Sequence, residues 1–230
     1  MCVILKTKHK SRQAFTLVEL IVVLVVLAII AAITIPALTG YIKKTKKEKQ
    51  TETVHYALVA SQAVMTELYG LGSAADSATL SSDGNNVNWR TGTNKKWGDK
   101  VLDLMDRGRG QSGNEPYIFV FAVGTSDPAA GLTLTQQYTV YYVAYVENEN
   151  SPAIFYINGE WIYTYPRIDK NSPIWDYTIG GKTFRNTLMS EHIPLQFYIV
   201  SNRTGLSDTA FWRDSSPKSL QSHSEPNFKG

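Results

Sequence analysis

Residues 12–38 read RQAFTLVELIVVLVVLAIIAAITIPAL: a polar approach, one acid at Glu19, then an apolar run from Leu20 to Leu38. Those nineteen uncharged residues rise about 28 Å as a helix, close to the roughly 30 Å of a bilayer core. Lys6, Lys8, Lys10 and Arg12 precede the run with no acid among them, and Lys43, Lys44, Lys46, Lys47 and Lys49 follow it against Glu48. Three readings compete. A cleaved secretory signal explains the basic start and the small Ala31 and Ala32. Against it, the apolar stretch exceeds the usual core of roughly 7–15 residues, and an acid stands at its threshold. A plain membrane anchor explains the length and leaves Glu19 without a reason. The third reading gives Glu19 work to do, because an ionisable group in a membrane segment is costly and is kept for a partner. A positive group in the same apolar zone would be such a partner. A Glu snorkelling to the headgroups is the plainer alternative.

The segment Arg12-Gln13-Ala14-Phe15-Thr16-Leu17-Val18-Glu19-Leu20 resembles the processing and methylation site of type IV pilins and pseudopilins. The resemblance is specific over residues 6–42 and faint beyond them. It implies a basic leader, residues 1–14, cut on the cytoplasmic side of the membrane by prepilin peptidase between Ala14 and Phe15. The same peptidase/methyltransferase system would then N-methylate Phe15. The implied cut would leave an α-amino group on Phe15 in the apolar zone, four residues before Glu19 on the same helix face, for Glu19 to neutralise in its own chain or a neighbour's. It implies that Glu19 serves assembly with other pilin or pseudopilin subunits, as a homo- or hetero-polymer, and that Pro36 and Gly40 loosen the helix. It also implies a platform protein and an assembly ATPase as partners, and a single-pass membrane precursor with its head outside that ends in a surface or periplasmic filament. One departure is visible: the family prefers Gly before the cut and this chain has Ala14, the next smallest residue, so processing is still expected.

Charge is unevenly spread. Residues 1–14 carry +4, residues 15–49 carry +3, and residues 50–230 carry −4. The basic balance therefore belongs to the N-terminal end, which argues against a nucleic-acid-binding domain. Both flanks of the apolar run are basic, so the positive-inside rule does not settle orientation. Cys2 is the one cysteine, and the four histidines are His9, His55, His192 and His223. A disulfide framework and a Cys-based zinc site are excluded. Many pilins close their C-terminal region with a disulfide, which this chain cannot form.

The helix is expected to continue past the membrane, over residues 15–69, for about 80 Å at 1.5 Å per residue. Pro36 should kink it. Residues 15–38 are apolar on nearly every face; residues 39–70 are amphipathic, with Val54, Leu58, Met65 and Leu68 at helical spacing. Residues 71–97, rich in Gly, Ser, Asn, Asp and Thr, read as a long surface loop. A short helix follows over 98–107. Strands are expected over 117–123, 138–146, 153–157, 161–165 and 195–200. Asn158-Gly159 suits a two-residue hairpin turn. A second short helix is expected over 184–192 and a loose polar tail over 215–230. The fold class is α+β: a long N-terminal helix whose amphipathic half packs on a mainly antiparallel β-sheet head at 71–214, pilin-like.

Other motifs fail on context. Gly108-Arg109-Gly110-Gln111-Ser112-Gly113 matches GxGxxG, but a helix precedes it and a strand follows, the reverse of a nucleotide fold. Gly181-Lys182-Thr183 lacks the first glycine of a phosphate loop. Asp169, Asn171 and Asp176 fit no calcium loop. No nucleophile–base pair or carboxylate pair is legible, and no cofactor is implied, so the expectation is a structural protein and not an enzyme. The many Tyr and Trp residues suit cross-strand packing better than an adhesive face. The alternative function is a membrane-anchored extracellular binding domain without a filament role.

Overall fold

The computed structural model describes residues 16–72, 86–107, 114–165, 171–212, 214 and 216–224. The chain divides into two units, Met1–Glu48 and Lys49–Gly230, and helix α1 (Leu17–Leu71) runs through both. From Tyr41 to Tyr69 the sequence has neither Gly nor Pro, so nothing in that stretch interrupts the backbone ladder. Pro36 lies inside α1. Having no N–H, it leaves the Ala32 carbonyl without its usual donor, and the helix continues beyond it.

In the second unit, α1 buries Val54, Ala57, Ala60, Ser61, Val64, Met65 and Leu68. These recur every three or four residues, the stripe of a helix that lies on a core. The Ser61 hydroxyl donates back to the Ala57 carbonyl at 2.8 Å, so the one polar group in the stripe is satisfied within the helix. The packed stripe begins at Val54 and not at Tyr41, because residues 43–53 supply no apolar side chain to bury.

The stripe meets an eight-stranded sheet. Its strands are β1 (Asn86–Asn88), β2 (Ile118–Gly124), β3 (Val140–Val146), β4 (Ile154–Ile157), β5 (Glu160–Ile162), β6 (Ile174–Ile179), β7 (Lys182–Leu188) and β8 (Ile193–Asn202). The order is β5-β4-β3-β2-β8-β7-β6, antiparallel throughout, with β1 added parallel to β8. The Asn158-Gly159 turn is as expected. Ile157 pairs with Glu160, and both turn residues have positive φ, 44° and 97°, as a type I′ hairpin demands.

Strands β2, β3 and β8 are buried at every position, which means that both faces of the sheet are covered. Along β2, Phe119, Phe121 and Val123 join the α1 stripe, together with Trp89, Val101, Leu102, Tyr145, Tyr198 and Val200. Ile118, Val120 and Ala122 face the other way, against Tyr142, Phe155, Phe197, Ile199, Phe211 and Leu220. The alternation is the period-two geometry of a strand.

Four readings of the sequence need correction. Residues 71–97 are not all loop: β1 and a buried Trp89 lie within them. The Trp89 ring meets Tyr198 at 4.7 Å and Phe121 at 5.4 Å, edge to face. The helix expected over 98–107 is α2 (Lys95–Leu104), beginning three residues earlier. Gly98 lets it approach, since an added Cβ would clash with the Trp89 carbonyl oxygen and come within 3.1 Å of the Trp89 Cβ. The helix expected over 184–192 is instead strand β7, drawn into pairing with β6 and β8. Its hairpin partner β6 was not foreseen, although Gly180-Gly181, both at positive φ, marks the turn between them. Last, residues 216–224 are not a loose tail. Leu220 and His223, in the short helix α3 (Leu220–His223), are buried. His223 Nδ1 lies 2.9 Å from the Ser151 carbonyl oxygen, and the Tyr165 hydroxyl donates to the Trp212 carbonyl.

Both clusters lie within residues 49–230, so a chain lacking residues 1–41 is expected to fold as a soluble, sheet-rich domain by circular dichroism. In that domain Leu220→Ala should cost about 2–5 kcal/mol by cavity formation, and Gly98→Ala about 1–3 kcal/mol by overpacking, read from urea denaturation midpoints.

Candidate functional site

The segment that the sequence singled out begins at the first turn of α1. Thr16 is the residue before the helix, and Glu19 is its third helical position. The Thr16 N–H and hydroxyl both donate to Glu19 Oε2, each at 2.9 Å, and the Glu19 N–H donates to Thr16 Oγ1 at 3.2 Å. This is a capping box. It satisfies two of the backbone donors that a helix start leaves open. It also folds the carboxylate back over the positive end of the helix dipole. Thr16 is the functional residue that reading for charge alone passed over, yet the signal was present as Thr16-x-x-Glu19.

From Leu17 to Ile42 the helix shows its apolar residues on every side. Leu, Ile and Val side chains there are between 43% and 74% exposed, so none has a packing partner of its own. Among the described residues this is the one helix long and apolar enough to cross a membrane, by length and composition. A surface of this kind is far larger than the apolar patches that monomeric soluble proteins show, and marks a membrane or protein partner. Its few polar groups are turned inward. The Thr34 hydroxyl donates to the Ile30 carbonyl at 2.9 Å. That of Thr39 donates to the carbonyls of Ile35 and Pro36, at 2.9 and 2.8 Å. Spanning segments satisfy their polar groups internally in this way. Pro36 and Gly40 both lie within the continuous helix. Ala14 and Phe15 lie outside the described residues.

Among the described residues, no three His, Cys, Asp or Glu side chains gather as metal ligands would. Asp176 stands on β6, and Asp169 lies outside the described residues. Gly181-Lys182-Thr183 leaves the β6–β7 turn, where Lys182 pairs with Asp127. That hydrogen bond holds the Asp127 carboxyl below its ordinary range, an ordinary surface clip. Residues 108–113 lie outside the described residues, and the elements around them run helix then strand. The aromatic residues mostly pack. Trp161 stands edge-on to His55 at 6.3 Å, and the Tyr163 hydroxyl lies 3.0 Å from Thr51 Oγ1, tying the β4–β5 hairpin to α1.

Residues 9–35 match the family model described as the prokaryotic N-terminal methylation motif, the signal of type IV pilins and pseudopilins. The matched stretch contains Ala14, Phe15, Thr16 and Glu19 and ends just before Pro36. No curated protein and no solved structure matches the chain. The chain thus carries the pilin-type signal at the start of a pilin-like α+β architecture. The motif implies processing by prepilin peptidase and assembly with pilin subunits, and it fits membrane anchoring.

Glu19→Gln should keep the capping box, since Gln also serves at that position, whereas Glu19→Leu should open it. Amide hydrogen exchange of the first helical turn in micelles is expected to be unchanged in the first variant and faster in the second.

Proposed function

We propose that this chain is a structural subunit of a type IV pilus or pseudopilus. The supporting observation is the motif-bearing helix whose apolar side chains stand exposed on every face from Leu17 to Ile42. Such a surface suits a bilayer before assembly and the apolar faces of sister helices after it. Burial and dispersion then stabilise the polymer. Residues 1–14 are the leader, cut between Ala14 and Phe15 by prepilin peptidase, and Phe15 is then N-methylated. The helix 15–38 inserts in the membrane, 39–70 continues it, and the head stands outside, carried into a surface or periplasmic filament by a platform protein and an assembly ATPase.

In this reading Glu19 supplies register. Apolar contacts are non-directional and hold one helix against another with little preference for axial position. A carboxylate in that zone is settled only beside a positive group. The next basic residue of the mature chain after the Phe15 amine is Lys43, so the amine of an adjacent subunit is the nearest candidate. The capping box prepares the pairing, because Thr16 already holds the carboxylate towards the N-terminus. Pro36 and Gly40 give the helix a place to yield as subunits pack, the first by a missing hydrogen bond and the second by backbone freedom.

Two measurements test this. Mass spectrometry of the native protein should find a chain beginning at N-methylated Phe15; a start near Ala32 would mark a secretory signal and overturn the assignment. In the native host, Glu19→Gln should leave membrane-bound mature subunit at normal levels and reduce filaments at least tenfold. Because Gln preserves the helix cap, normal filament yield from this variant would remove the charge from the mechanism and favour a membrane-anchored binding domain.

A further inference from the structure

Beyond the apolar run, α1 turns abruptly basic. Lys43, Lys44, Lys46 and Lys47 fall within five residues, followed by Lys49, with Glu48 the one acid among them. Lys44, Lys46 and Lys47 are exposed, and the Lys44–Glu48 contact, at 3.9 Å between well-exposed groups, is too long and too wet to hold Lys44. At about 100° per residue Lys44 and Lys47, three apart, leave the helix on the same side and Lys46 leaves it about 100° from Lys47, so the three spread over a broad band of about 160° of the circumference. Their depth is set by the span. Counting about 1.5 Å per residue from Leu38, Lys44 stands roughly 9 Å, and Lys47 roughly 13 Å, beyond the end of the apolar run. The headgroup region is about 5–8 Å deep on each side, so these backbone positions stand just beyond it, from where long, flexible lysine stems reach back to the headgroups. Tyr41, 68% exposed, lies just inside it, where amphipathic aromatic rings settle.

The placement has a cost that orientation does not explain. With the head outside, these lysines sit on the exported flank, where the positive-inside rule disfavours them. The leader on the opposite flank is equally basic at +4, so the band does not set topology. Residues 50–230 carry −4, so the band is also not part of a generally basic head.

We propose that the band of Lys44, Lys46 and Lys47 binds the headgroups of anionic phospholipids in the leaflet where α1 emerges, holding the subunit at a fixed depth among acidic lipids before assembly. This rests on the reading of α1 as a membrane span with its head outside. Ammonium groups at the headgroup plane are drawn to anionic lipid over a distance of about one Debye length. The attraction should therefore fade with salt while the apolar anchoring does not.

The test reconstitutes the full chain in vesicles of phosphatidylcholine with 30% phosphatidylglycerol, adds spin-labelled analogues of each lipid, and measures by electron paramagnetic resonance the fraction each contributes to the motionally restricted shell. The expected result is a phosphatidylglycerol preference of about threefold at low salt, falling towards onefold near 1 M salt as screening shortens to about 3 Å. In Lys44→Gln/Lys46→Gln/Lys47→Gln the low-salt preference should fall by at least half, the remainder coming from the leader and from Lys43 and Lys49. Equal affinity of the unmodified chain for the two lipids, or a preference unchanged in the triple variant, overturns the proposal. So does tight binding of soluble polyphosphate without any lipid preference, which would assign the lysines to an anionic polymer. Carbonate extraction separates the two layers of the argument. A chain stripped from the vesicles overturns the membrane reading as well, whereas a carbonate-resistant chain without lipid preference overturns only the lysine assignment.

Discussion

One helix must satisfy two environments, and that constraint shapes the chain. Over residues 17–42 α1 has apolar side chains on all sides and no partner for any of them, so water is the wrong surroundings for it. Over residues 54–68 the same helix has a stripe, and the stripe is buried to the last atom at Val54, Ala57, Val64, Met65 and Leu68. Between the two lies a stretch of Lys, Thr, Glu and Gln with no apolar side chain of its own. Continuity of the backbone ladder makes the packed end and the exposed end parts of one element, so a head can be carried on a segment that lives elsewhere.

The head meets its own constraint, a sheet buried on both sides. The α1 stripe with Trp89 and α2 covers one face, and the chain after β8 covers the other, through Phe211, Trp212 and Leu220. A two-sided sheet needs near-continuous apolar strands, which is what β2, β3 and β8 show. The arrangement gives the C-terminal segment a structural role with no disulfide required. Side-chain hydrogen bonds close the remaining gaps. The Gln62 amide donates to the Tyr138 carbonyl and accepts from the Val140 N–H, at 3.0 and 2.9 Å, fastening α1 to the start of β3.

At the other end, Glu19 is the third residue of a capping box and serves its own helix. The same geometry suits the pairing proposed above, since the cap draws the carboxylate towards the N-terminus.

Much of this was legible before any coordinates. The long helix, the Asn158-Gly159 hairpin and the α+β class all follow from periodicity, length and turn chemistry, which are local. Even the capping box was written in Thr16-x-x-Glu19. What only the tertiary structure decided lies where polar sequence is recruited by distant neighbours. Residues 184–188 become a strand because β6 and β8 supply their hydrogen-bond partners. Val87 and Trp89 leave an otherwise loop-like stretch because β8 offers an edge and Tyr198 and Phe121 offer rings. Leu220 and His223 lie in a serine-rich segment and are buried because the sheet's second face needs a cover. Burial is a property of contacts far apart in the chain, and no short window of sequence contains both partners.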